Sequence, residues 1–142
     1  MLDRLDEHAM KAVELARVEA HDRCFSHVGS ESILVGVLCE AQLRGVGGSD
    51  PWGLSVAAVR AQVAHRVGSC PEPVAEPEAI PLTPRAREVL ECAGEQARRR
   101  GRDRVSSEDL LLALLEVGQG EGVVALEALE VSTDALKRLV AS

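Results

Sequence analysis

Val28-Gly29-Ser30-Glu31-Ser32-Ile33-Leu34 returns 77 positions later as Val105-Ser106-Ser107-Glu108-Asp109-Leu110-Leu111. A small polar residue, an acid and then a run of aliphatics is the opening of a helix. The hydroxyl caps free N–H groups, and the acid sits against the positive end of the helix dipole. The same register, without a gap, carries Leu5, Ala9, Glu14, Ala16 and Ala20 onto Leu82, Ala86, Glu91, Ala93 and Ala97. It also carries Leu38 onto Leu115, Gly45-Val46 onto Gly122-Val123, Ser55 onto Ser132 and Val63-Ala64 onto Val140-Ala141. Self-similarity at one fixed offset marks an internal duplication. The expected fold is all-α: two pseudo-symmetric four-helix repeats, about eight helices, in one compact domain. Repeat one covers 1–67, a linker 68–81 and repeat two 82–142.

Within each repeat the apolar spacing is helical. Ala9, Ala12, Val13, Ala16 and Ala20 form one stripe from about Asp6 to Arg23, with Asp6 as N-cap. His27-Val28-Gly29 breaks the chain, and Ser30 is expected to cap a second helix that buries Ile33, Leu34, Val37 and Leu38. In repeat two Thr83 is the N-cap and Pro84 the N1 residue, where a missing N–H costs nothing. Ser107 is expected to cap the next helix, a short helix follows from about Gly122 to Leu129, and Ser132 caps the last. The copies differ at one place: Val46-Gly47-Gly48-Ser49-Asp50-Pro51-Trp52 stands where repeat two has Val123-Val124-Ala125-Leu126-Glu127-Ala128-Leu129. Two glycines and a proline oppose a helix, so the third helix of repeat one is expected to be lost or reduced to a turn. Trp52 is placed over the gap, and Ser55 caps a fourth helix to about Val67. The linker holds Pro71, Pro73, Pro77 and Pro81, which favours an extended connector.

Composition excludes several functions. The net charge of −7 opposes binding to a phosphate backbone. Phe25 and Trp52 are the sole aromatics, too few for base stacking. Arg98-Arg99-Arg100, Arg102 and Arg104 read as cations at a helix C-terminus. Cys24, Cys39, Cys70 and Cys92 include no Cys-x-x-Cys pair, and His21, Cys24 and His27 lack a fourth ligand, so no metal is expected. A charged start (Asp3, Arg4, Asp6, Glu7) and the lack of a long apolar run point to a cytoplasmic protein with reduced thiols. There is no phosphate-binding Gly-x-x-x-x-Gly-Lys loop, no Gly-x-Ser-x-Gly and no His-Glu-x-x-His. A non-catalytic binding function without a cofactor follows.

Two further stretches give the chain a family likeness. Ile80-Pro81-Leu82-Thr83-Pro84-Arg85-Ala86-Arg87-Glu88-Val89-Leu90-Glu91 and Gly120-Glu121-Gly122-Val123, with the duplicated helix opening, resemble the Clp N-terminal repeat domain, nearest its ClpC type. The likeness covers nearly the whole chain. It implies a recognition domain of the kind carried by AAA+ unfoldases, here without the ATPase modules. Partners would be Clp ATPase or protease components, adaptors or arginine-phosphorylated clients, bound by a monomer that takes neither nucleic acid nor membrane.

The resemblance also implies site residues. In the ClpC type, each repeat is associated with a phosphoarginine site using a Thr at one helix start and a Glu in the first turn of another. A helix start suits phosphate, and a carboxylate pairs with guanidinium through two parallel hydrogen bonds. Repeat two supplies Thr83, Glu108, Ser107 and, one turn on, Arg87. Repeat one keeps Ser30 and Glu31 but has Asp6 in place of the Thr, so that site is expected to be degenerate. Asp109 follows Glu108 as an extra acid near the anion position. A second family surface, between the repeats, is a target of cyclic-peptide antibiotics; here Leu2, Met10, Val13, Pro81, Leu82 and Glu91 would line it. That gives an alternative function, a decoy that sequesters such peptides.

Overall fold

The computed structural model describes residues 2–68 and 76–141, with the side chain of Leu2 outside that set. Among the described residues the helices are α1 Glu7–Asp22, α2 Ser30–Leu43, α3 Val56–Arg66, α4 Pro84–Arg99, α5 Ser107–Val117, α6 Glu121–Ala128 and α7 Thr133–Ala141. None is long and apolar enough to cross a membrane. The all-α expectation holds, with seven α-helices among those residues, the eighth being the third helix of repeat one, expected to be lost or reduced to a turn.

Helix starts follow the capping chemistry. Asp6 accepts from the Ala9 N–H (2.8 Å), Thr83 from Ala86 (3.0 Å), Ser55 from Ala58 (3.1 Å) and Ser132 from Ala135 (3.2 Å). Two expected caps shift by one residue. Gly29, not Ser30, caps α2, and Ser106, not Ser107, caps α5. Ser30 and Ser107 become the first helical residues and are buried. At α5 the reason is a reciprocal box. Ser106 Oγ accepts from the Asp109 N–H, and the Asp109 carboxylate accepts from the Ser106 N–H.

The core is aliphatic apart from Phe25. Ala12, Ala16 and Ala20 bring α1 against α2 so closely that a Cβ at Gly36 would strike the Ala12 carbonyl. Ala113 stands at the matching place in α5, so α4 and α5 cannot approach as closely. Arg60 of α3 clasps the Glu19 carboxylate through Nε (3.1 Å) and Nη2 (2.9 Å), tying the fourth helix of repeat one to the first.

The third helix of repeat one is gone, as expected. Turns run from Arg44 to Ser49, followed by a 3-10 turn at Pro51–Gly53. Gly47 and Gly48 take positive φ (64° and 68°), as does Trp52 (52°), a conformation a helix excludes. Trp52 packs partly buried against the core, in a cavity with Leu136 and Leu139 of α7. The loss has a counterpart across the molecule. In repeat two the start of α6 donates the Gly122 N–H to Ser30 Oγ (3.1 Å). Among the described residues no equivalent helix reaches Ser107, whose buried Oγ has no hydrogen-bond partner there.

The linker differs from an extended connector where it is described. Pro77–Ala79 forms a 3-10 turn, Ile80 is buried, and the Ile80 carbonyl accepts from Arg17 Nη1 (2.6 Å). The stretch holding Pro71 and Pro73 lies outside the described residues.

Candidate functional site

The helix starts meet crosswise. The Val28 N–H donates to the Pro81 carbonyl (2.8 Å) and the Thr83 N–H to the Val28 carbonyl (3.0 Å). The Val105 N–H donates to Arg4 (2.9 Å) and the Asp6 N–H to Val105 (2.8 Å). These two single-rung parallel bridges, Val28 with Leu82 and Leu5 with Val105, set the start of α4 beside the start of α2, and the start of α1 beside that of α5. The expected grouping is therefore exchanged. Thr83 faces Ser30 and Glu31 of repeat one, and Glu108 and Ser107 lie on the side of Asp6. The register that reveals the duplication fixes which residues are equivalent, but not which half meets which.

Thr83, Ser30 and Glu31 line a cavity of about 400 Å³ together with Gly29, Arg66, Val67, Gly68, Arg85, Gly120 and Glu121. Thr83 Oγ1 accepts from Ala86, which leaves its hydroxyl hydrogen to donate. Glu31 is 5% exposed, and among the described residues no cation pairs with it. It folds back over its own helix start, which is possible because residue 29 is glycine; a Cβ there would collide with the Glu31 carboxylate. Burial pushes its pKa up, a hydrogen bond from its own backbone N–H opposes this, and the nearby Glu121 adds a further push upward.

The cations at this cavity are not the expected one. Arg85 lines it, beside Gly120, and pairs with Glu88 (3.0 Å). Arg87 is exposed and lies outside it. Arg66 also lines it and pairs with Glu121 (2.7 Å). Nothing in the sequence singled out Arg66 or Arg85. The Gly120-Glu121-Gly122 turn was visible as a motif, but its place against Ser30 depends on the crossing of the halves.

The other side is arranged differently. Glu108 is half-buried and bonds Arg44 Nη2 (3.0 Å). Arg44 Nε also bonds Glu40 (2.5 Å), and His8 Nδ1 lies 3.1 Å from the same Glu40 oxygen. Asp109 does not stand free near an anion position. It is 1% exposed, caps α5 and pairs with Arg102 (2.6 Å) and Arg100 (3.6 Å).

The proposed groove residues scatter. Val13 belongs to the core, Met10 is exposed, Leu82 is half-buried and the Pro81 carbonyl is engaged by Val28. Glu91 lines a different cavity, of about 430 Å³, with Arg4, Leu90, Gly94, Glu95, Arg98 and Val105. The Leu2 side chain lies outside the described residues. Of the arginine cluster, Arg98 and Arg99 occupy the last turn of α4, and Arg104 donates to the Asp3 carbonyl (2.9 Å).

Comparison with known proteins places this arrangement. Residues 4–129 match the Clp repeat (R) N-terminal domain. The chain is 36% identical over 129 residues to the chloroplastic chaperone protein ClpC1 of Oryza sativa subsp. japonica, covering 91% of this chain and 14% of that chaperone. The N-terminal domain of the chaperone ClpD from Arabidopsis thaliana superimposes with a TM-score of 0.81 at 19% identity, covering 99% of this chain and 94% of that one. The ClpV N-domain, solved in complex with a VipB peptide, superimposes with a TM-score of 0.67 at 20% identity, covering 99% and 89%. The chain thus spans a small part of the length of the curated relatives it matches. With its duplicated helices and crosswise bridges, the chain belongs to the Clp repeat (R) N-terminal domain family.

Proposed function

We propose that this chain is a non-catalytic recognition module that receives proteins bearing phosphorylated arginine, through the cavity between Thr83 and Glu31. One observation carries the reading. A buried carboxylate without a cationic partner among the described residues lies in one cavity with a threonine hydroxyl and Arg85. A phosphoarginine side chain has the matching polarity. Its guanidinium end satisfies Glu31, and its phosphate end takes the Thr83 hydroxyl and the Arg85 guanidinium. The ClpV N-domain, captured with a VipB peptide, supports a peptide-receiving role for the fold. Relative to the grouping expected from repeat two alone, Glu31 replaces Glu108 and Arg85 replaces Arg87.

Titration with free phosphoarginine, followed by calorimetry, tests this. The Thr83→Ala and Glu31→Gln variants are each expected to lose about tenfold or more in affinity, since a lost charge-assisted hydrogen bond is worth about 1.5–3 kcal/mol. Glu108→Gln is expected to bind as the parent does. Equal affinity across all four proteins would remove the cavity from consideration.

A further inference from the structure

Glu31 and Glu108 occupy the same place in the two repeats, yet their surroundings are opposite. At the position equivalent to Arg44, repeat two carries Glu121. Glu121 is engaged by Arg66 (2.7 Å), so among the described residues Glu31 meets a second acid and no cation. Glu108, in contrast, already holds a guanidinium, that of Arg44 (3.0 Å).

Arg44 is firmly placed there. It ends α2 as the C-cap, and its Nε bonds Glu40, whose side chain is 2% exposed. Glu40 has one oxygen shared by Arg44 and His8, while its other oxygen has no hydrogen-bond partner among the described residues. Withdrawing Arg44 would leave that buried carboxylate with His8 alone. A carboxylate stripped of its cation in the interior is strongly unfavourable. An incoming arginine side chain offers Glu108 the same contact Arg44 already makes, while uncovering Glu40. Exchange therefore yields no gain.

We propose that Arg44 is a built-in occupant of the Glu108 side, so that the molecule presents one guanidinium-accepting carboxylate, Glu31, and not two. This rests on the phosphoarginine reading given above for its ligand, but not for the contact itself. The deviation of Asp6 from threonine is then a secondary difference. Even a threonine there would border a carboxylate that is already taken.

The test is the number of phosphoarginine molecules bound per chain, measured by calorimetry. The parent and Asp6→Thr are each expected to bind one. Asp6→Thr combined with Arg44→Gln and Glu40→Gln, which removes the cation and the buried acid together, is expected to bind two. A second equivalent in Asp6→Thr alone overturns the inference, as does a triple variant that keeps the parental circular dichroism and still binds one. If none of the proteins binds phosphoarginine, the proposed function has failed, and a second measurement decides the role of Arg44. Millimolar methylguanidinium is added while the carboxyl ¹³C resonance of Glu108 is followed. A shift in the Arg44→Gln, Glu40→Gln protein and none in the parent supports internal occupancy. Equal shifts in both overturn it.

Discussion

Gly29 and Ser106 hold the same place in the two copies, and the glutamate two residues on lies differently in each. At Gly29 the Glu31 carboxylate folds inward and is buried; at Ser106 the corresponding Glu108 reaches outward to Arg44. Burial against Glu121 raises the Glu31 pKa above the ordinary glutamate value of 4.5. Between that value and the raised one, the folded chain holds a proton that the unfolded chain has released. Raising the pH through this window strips the proton at a cost to stability, and the cost is fully present above the raised value. Glu31→Gln is therefore expected to melt higher than the parent at pH 7.5, with the difference closing as pH falls below 4.5. Thermal melts across that range check it, and a difference independent of pH would show that burial of charge is not the cause. The glycine was legible in the sequence only as a break between helices. That it makes room for a carboxylate depends on a side-chain direction, which no spacing encodes.

Elements were more legible, because caps and periodicity act locally. Asp6, Thr83, Ser55 and Ser132 cap as their residue types demand, and the glycines and proline between Gly47 and Pro51 abolish a helix. The cap shifted at α5 because Asp109, an acid three residues after Ser106, closes a reciprocal pair that Ser107 cannot. The lost helix leaves a measurable trace in two serines. Ser30 Oγ accepts from Gly122 at the start of α6, whereas Ser107 Oγ is buried without a partner among the described residues. Ser30→Ala strands the Gly122 N–H and is expected to cost about 1–3 kcal/mol. Ser107→Ala removes an unsatisfied hydroxyl and is expected to be neutral or to stabilise by about 1 kcal/mol. Urea denaturation of the two variants reads the contrast, and equal losses would mean that Ser107 has a partner after all.

At the scale of the whole molecule, neither repeat completes itself. The start of α4 is bonded to Val28, and the start of α1 to Val105. The α6 start rests on Ser30, and Arg66 of α3 reaches Glu121. A peptide of residues 1–67 is thus expected to be unfolded alone and to gain helicity when mixed with residues 76–142. Circular dichroism of the separate and combined peptides checks this, and cooperative melting of either alone would contradict it. The duplication, the helix count and the absence of a third helix in repeat one could be read from residue types. The pairing of Thr83 with Glu31 could not, since a repeat offset is silent about whether copies lie side by side or interlock.

The two short backbone rungs between the copies act as a pair of buckles, each fastened by one strap from either half. A lone half of this design would need a twin to close either cleft, and the two clefts would then be identical. Joined in one polypeptide, the twins are free to differ. One rim can carry Asp6 and hold its own arginine against Glu108, while the opposite rim carries Thr83 and a buried Glu31 with no cation beside it among the described residues, so a single body has two unlike rims.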